Sequence, residues 1–393
     1  MQEEKPNLKL VVNQVVKINI NITTEVRQSA DWKPVESNID LKNNPELCNL
    51  VFAIISMTPE ETASLKIPEK YLDFLLQSGL LVPVPEKPDG KNYRCLISVP
   101  PNPLNSTPVL GQIRYSELKV NQFIYLQETL ELPEMLKESL PFNNFTGGQY
   151  PLVWVKSAKT GLNFPFWPTP ENQDLINGLI KGEKSINALP EPLIQQLLLA
   201  EILIPNNLQS FTEQTDSAKQ SLAANGYVVL RNIINPLQTG ALRTYYRELT
   251  NKDYFIRDAQ VPKRDIIRNE PVAKFIHYQL TNLLNRITPE KVKPSYSYLS
   301  MYKPGAVLKK HTDREQCAWN MSLVIDTDPD YIWPIYLETG GLISAVKLEI
   351  GDAVIYRGTK IPHWREQLPD NQQATICFYH FVAEDFAGPL YNL

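Results

Sequence analysis

Residues 309–316 read KKHTDREQ. His311 and Asp313 stand one residue apart in a chain with four histidines. In an extended strand, residues i and i+2 point to the same face, so this imidazole and this carboxylate would project together. Both are ligands of divalent metal ions, but two protein ligands do not hold an oxygen-activating iron. His363, in TKIPHWRE, offers a third, 50 positions after Asp313. Two imidazoles and one carboxylate on one face would leave three coordination positions open. A lone His-x-Asp is also a common surface pair, so the chemistry depends on elements that return His363 to it.

Those elements are legible. From residue 294 onward the chain reads as eight short strands: SYSYLSMY, AVLKKH, AWNMSLVID, WPIYLE, ISAVKLEI, DAVIYRG, HWREQL and ATICFYHFV. They are aromatic and β-branched, with Gly, Pro and Asp between them. Eight strands at this spacing suggest a double-sheet jelly roll or a barrel, in which four strands bring the chain back to its starting neighbourhood. Ahead of them, NGYVVLRNIINPLQTGALRTYYREL predicts a short strand and a helix starting near Pro236, and a further helix is expected over 271–287.

The segment 221–393 resembles the Fe(II)/2-oxoglutarate-dependent dioxygenases, near their prolyl-hydroxylase-like branch. The likeness rests on GYVVLRNII, YKPGAVLKKHTD, GDAVIYRG and PHWRE, and covers under half the chain. It implies Fe(II) held by His311, Asp313 and His363, with 2-oxoglutarate chelated through its keto-acid end and O2 in the last position. The implied outcome is hydroxylation of a C–H bond, with succinate and CO2 as by-products. The carboxylate of Asp313 argues against the halogenases of the superfamily, which lack it.

The chain departs from the family at the cation for the far carboxylate of 2-oxoglutarate. That residue usually follows the distal histidine by nine to eleven positions, where this sequence has Gln372, Gln373 and Ala374. Arg365 is the substitute, on the face of His363 if the strand is regular, and a guanidinium can grip a carboxylate with two hydrogen bonds. Its other reading is a surface ion pair with Glu366 or Asp370. Arg357 and Arg314 are reserves for the same role. Tyr302 resembles the tyrosine that contacts 2-oxoglutarate in this branch, and Thr375 and Asn320 are candidates for further hydrogen bonds. Tyr296, Tyr298, Ser300 and Tyr302 share a face, which could line a substrate pocket or be core. Arg314, Tyr298, Trp319 and Arg357 are the candidate substrate contacts, with Trp319 and Trp364 at the mouth. His277 and His380 are expected to be structural, and Cys317 is an oxidation-sensitive candidate.

The first half differs. LKLVVNQVVKINI alternates like a strand. IPEKYLDFLLQSGLLVP (67–83) and LPEPLIQQLLLAEILIP (189–205) align without a gap at an offset of 122. Each opens on Pro-Glu, favourable for a first helical turn, and ends in a short strand-like tail. A second helix is expected before each, at 44–55 and 169–180. Helix, loop, helix, strand is the outline of a winged-helix-like unit, so the expected organisation is α+β: accessory modules over 1–110 and 111–210, then a jelly-roll oxygenase domain over 211–393, with polar loops at 82–108 and 206–220. The other reading is two unrelated amphipathic helices.

Charge narrows the partners. Residues 45–83 and 170–205 each hold five acids and two lysines, a net charge of −3, and the whole chain is at −4. A phosphate-binding surface needs the opposite sign, so nucleic acid is excluded as the expected partner. No apolar run reaches the length of a membrane span and no signal peptide is visible. Four cysteines without a C-x-x-C pair suggest neither zinc nor a disulfide framework, and the expected compartment is the cytoplasm. The expected substrate is a peptide or protein side chain. The alternatives are a free amino acid or small metabolite, with the N-terminal half used for a homodimer, and a non-catalytic cupin-like sensor or scaffold.

Overall fold

The computed structural model describes residues 152–251, 255–327 and 331–390, with shorter stretches between residues 10 and 146, among them 65–77 and 115–129. The C-terminal region runs α1 (Phe211–Asn225), β1 (Tyr227–Leu230), α2 (Pro236–Asn251), β2 (Ile256–Arg257), β3 (Arg264–Arg268) and α3 (Pro271–Ile287). Eight strands follow: β4 (Val292–Tyr302), β5 (Leu308–His311), β6 (Trp319–Thr327), β7 (Ile335–Thr339), β8 (Leu342–Val346), β9 (Ala353–Tyr356), β10 (His363–Arg365) and β11 (Ala374–Ala383). They coincide with the eight strands read from the sequence. The major sheet has seven strands in the order β1-β9-β6-β11-β4-β3-β2, and the minor sheet four in the order β5-β10-β7-β8. Pairing within both is antiparallel, as in a jelly roll.

The two faces of the major sheet follow from side-chain alternation. Leu299, Met321, Ile355, Cys377, Tyr379 and Phe381 join the core formed with α1 and α3. Tyr296, Tyr298, Tyr302, Ile376 and Phe378 pack on the inner face. Helix boundaries are chemically specified. Ser210 and Glu213 form a reciprocal capping box at the start of α1, and Gly226 ends it at φ +78°, where a side chain would be strained. Glu270, fully buried, caps α3 by accepting hydrogen bonds from the backbone N–H groups of Val272 (3.1 Å) and Ala273 (2.9 Å). It also accepts from the hydroxyls of Tyr245 (2.7 Å) and Tyr246 (2.8 Å). Glu270→Ala would strand four donors in the core. A loss of about 3 kcal/mol in unfolding free energy is expected by chemical denaturation, against no measurable loss if the cap were dispensable.

The N-terminal half holds the expected helix–strand units. Helix Glu69–Gln77 leads to strand Leu81–Pro83, and helix Glu191–Leu199 to strand Leu203–Pro205. Each strand pairs antiparallel with an earlier one in the same register: Leu10 opposite Pro83 and Val12 opposite Leu81, Leu118 opposite Pro205 and Val120 opposite Leu203. The two earlier strands begin LVVNQ at 10–14 and LKVNQ at 118–122, a likeness beyond the helices themselves. A helix precedes the second unit at Gln173–Ile180, and Glu46, Leu47, Leu50, Val51 and Ile54 are helical ahead of the first. A complete winged helix is not shown among the described residues, and most of the 82–108 loop lies outside them. The core crosses the expected boundary near 210: Leu152, Trp154 and Phe164 belong to the same apolar cluster as α3 and the major sheet. Gln279 of α3 accepts a hydrogen bond from the Asn163 N–H at 2.7 Å. No helix of the described residues is long and apolar enough to cross a membrane.

Candidate metal centre

His311 ends β5 and His363 opens β10, and the two are directly opposed in the ladder between those strands. Their ring centroids are 4.3 Å apart. Asp313 lies just beyond β5, with its backbone N–H donating to the carbonyl of Gly358 at 2.9 Å. Its Oδ1 is 3.6 Å from Nε2 of His311 and 3.7 Å from Nε2 of His363. The three ligand atoms lie within 4.8 Å of one another.

Each imidazole is oriented by its own strand. Nδ1 of His311 is 2.7 Å from the carbonyl of Lys309, and Nδ1 of His363 is 3.0 Å from that of Ile361. A carbonyl only accepts, so both Nδ1 atoms carry the proton and both Nε2 atoms turn a lone pair toward Asp313. The Asp313 carboxylate beside it favours the protonated form of His311 and raises its pKa, whereas burial lowers that of His363. Burial pushes the Asp313 carboxyl up, but the two imidazoles beside it favour its ionised form and hold the group below its usual range. Two neutral imidazoles and one carboxylate on one side of an ion are the donor set of a facial triad, with the opposite side open.

Gly358 makes room for this geometry. A Cβ there would collide with Oδ2 of Asp313 and stand 2.5 Å from the carbonyl of Cys317. Gly358→Ala is therefore expected to displace the carboxylate and weaken metal binding 10- to 100-fold, by metal titration, with the thermal midpoint moved by only a few degrees.

The ligands open onto a cavity of about 310 Å³, lined by Arg264, Arg268, Tyr296, Tyr298, Arg314, Asn320 and His380 among others. Tyr298, Arg314 and Asn320, three of the residues singled out from the sequence, thus line the cavity beside the ligands. Asn320 donates to the hydroxyl of Tyr356 at 2.7 Å, and its Nδ2 is 3.5 Å from Oδ2 of Asp313. Tyr302 is fully buried, and its hydroxyl accepts from Nη1 of Arg264 at 2.9 Å. Arg365 is not at the surface. It is 1% exposed, donates from Nη1 to the carbonyl of Trp333 at 2.5 Å, and its Nε and Nη2 have no partner. Burial draws its pKa down to about 10.

The structure keeps three candidates away from the cavity. Trp319 packs in the core beneath α3 and donates to Glu290 at 2.8 Å. Arg357 pairs with the same Glu290 at 3.3 Å and lies over the Trp319 ring. Thr375 lines a separate cleft on the α2 side, with Arg243, Arg247 and Asp326. Trp319 and Thr375 occupy odd positions of strands whose even positions face the metal, and Arg357 directly follows the last residue of β9. Trp364, also expected at the mouth, stacks on Tyr336 at 5.4 Å on the outside of the minor sheet. His277 is structural as expected, donating from Nε2 to the carbonyl of His380 at 2.9 Å. His380, expected to be structural too, lines the cavity, and burial lowers its pKa to about 4. Cys317 is unsuited to redox sensing, because burial pushes its thiol up to about 12. Arg264, Arg268 and His380 carried no motif. The one signal for the arginines was their i, i+4 spacing on a strand opposite the tyrosine-rich β4.

No family model matches this chain, and no curated protein does. Solved structures similar to it include the non-haem α-ketoglutarate-dependent epimerase SnoN from nogalamycin biosynthesis, at 10% identity and TM-score 0.38, over 44% of this chain and 83% of that one. A prolyl-4-hydroxylase from Pseudomonas putida is 13% identical at TM-score 0.37, over 43% and 98%. HygX from Streptomyces hygroscopicus, solved with nickel and 2-oxoglutarate, is 11% identical at TM-score 0.37, over 45% and 89%.

Proposed function

We propose that this chain is an Fe(II)/2-oxoglutarate-dependent oxygenase that hydroxylates an unactivated C–H bond, on a peptide or protein side chain. The observation that carries this reading is the His311–Asp313–His363 cluster, with both Nε2 lone pairs turned toward the carboxylate. Its donor set suits Fe(II) and leaves room for a bidentate co-substrate. Bound together, Fe(II) and 2-oxoglutarate supply the O2 chemistry, in which one oxygen atom enters the substrate and the other enters succinate as CO2 leaves. The residues fit the co-substrate as well. Arg365 holds two unpaired N–H donors in the interior, two positions along β10 from His363, and these would take the far carboxylate. The fully buried Tyr302 and Tyr356 exclude water around it. The acidic helix–strand units of the N-terminal half suit capture of a polypeptide.

The test is spectroscopic. Adding Fe(II) and 2-oxoglutarate without oxygen should produce a visible charge-transfer band, and admitting air should release succinate. Absence of both would sink the oxygenase reading in favour of a non-catalytic cupin-like sensor.

A further inference from the structure

The metal cavity holds more positive charge than the proposed chemistry uses. Arg264, Arg268 and Arg314 all line it, and among the residues lining it Asp313 is the one acid. Arg264 is already compensated: it is 5% exposed and donates from Nε to Asp258 at 2.8 Å. Arg268 and Arg314 have no carboxylate partner among the described residues. Arg268 lies 5.4 Å over the ring of Tyr298, with a buried Nε that has no hydrogen-bond partner. Arg314 lies 5.1 Å over the ring of Tyr296. Tyr296 and Tyr298 are neighbours on the inner face of β4, with centroids 6.3 Å apart, so the two guanidiniums sit over adjacent rings.

Arg268 and Arg314 line the metal cavity, whereas Arg365, the co-substrate anchor, is not among its lining residues. Arg264 opposes Tyr302 and Arg268 opposes Tyr298, four residues apart along β3. That spacing is roughly 13 Å on an extended strand. Arg264 reaches from Tyr302 to the Tyr298 ring, 5.2 Å away, with its charge taken up by Asp258, whereas Arg268 and Arg314 lie over Tyr298 and Tyr296 without a carboxylate. A guanidinium held flat on an aromatic face offers its edge as a planar fork, which matches a planar carboxylate.

We propose that Arg268 and Arg314 bind a carboxylate of the prime substrate, beside the metal and apart from the 2-oxoglutarate anchor. This deepens the oxygenase reading and rests on it for the role of the site, but it can be tested separately. The source of the carboxylate is either an aspartate or glutamate side chain in a peptide or the α-carboxylate of a free amino acid.

The full-length protein, loaded with Mn(II) and 2-oxoglutarate, is titrated by calorimetry with two degenerate acetylated pentapeptide amides, one fixed on a central glutamate and one on glutamine. Free glutamate and a phosphoserine-centred pool are titrated alongside. The glutamate pool is expected to bind at least tenfold more tightly than the glutamine pool, with the ratio falling toward one in Arg268→Gln and in Arg314→Gln. Tighter binding of free glutamate than of its pool would support the site and assign the carboxylate to a small metabolite. Equal binding of glutamate and glutamine pools, a preference that survives both substitutions, or tightest binding of the phosphoserine pool would overturn the proposal. Repeating the titration without metal or 2-oxoglutarate separates the two ideas. A glutamate preference in a protein that shows no charge-transfer band keeps the carboxylate site and removes the oxygenase reading.

Discussion

Asp313→Ala should abolish the Fe(II)/2-oxoglutarate band and reduce metal affinity by more than about 100-fold, since even residues that merely orient metal ligands are worth 10- to 100-fold. Both histidines approach Asp313 at one and the same oxygen, at 3.6 and 3.7 Å. It is also the cluster's one anion. Without it two adjacent imidazoles are left with no charge to balance a divalent cation. His363→Ala should match this loss, since His363 is 2% exposed and its strand pairs on both sides, with β5 and with β7. Equilibrium dialysis with Mn(II) reads the effect without turnover. A variant that kept wild-type affinity would remove the cluster as the metal centre.

Arg365→Met should act on the co-substrate alone. Removing one partner of a buried, hydrogen-bonded charge pair typically costs 2–5 kcal/mol, or about 30-fold or more in the KM for 2-oxoglutarate. The ligand-free protein should respond in the opposite sense. Arg365 is a buried cation with two orphan donors and a pKa drawn down to about 10 by that burial, so methionine relieves an uncompensated charge. The thermal midpoint of the ligand-free variant should therefore rise, while the further rise that 2-oxoglutarate gives the parent protein should vanish. If Arg365 were only structural, the ligand-free midpoint would fall and the KM would stay near its parent value. Arg365→Lys separates charge from shape. A point charge should restore part of the affinity but none of the two-pronged grip.

How much of this was legible depends on what fixes each residue's direction. The metal ligands were readable because an i, i+2 pair shares a face whatever the phase of its strand. The interior position of Arg365 was readable by the same rule from His363. Trp319, Arg357 and Thr375 were misplaced because period alone does not say which of two faces points inward. That phase is set by packing against α1 and α3, a long-range fact. His380 shows the same point in reverse, since even positions of β11 face the metal. Arg264 and Arg268 were hard to find because their partners Tyr302 and Tyr298 lie 38 and 30 residues away, across a helix. In the N-terminal half, the helix-to-strand outline was visible because amphipathic spacing is local, whereas the shared core across residue 210 was not.

The Nδ1 clamps on His311 and His363 bear on which metal the protein carries. Both rings have chosen their tautomer before any ion arrives, so little rearrangement remains to be driven by the ion itself. A nearly finished cage rewards whichever cation bonds nitrogen most strongly, and that order puts nickel and copper above iron. Discrimination must then come from supply rather than from the cage. Protein recovered from cells should hold the metals of its growth medium, and nickel should compete with iron as a tight, inactive occupant.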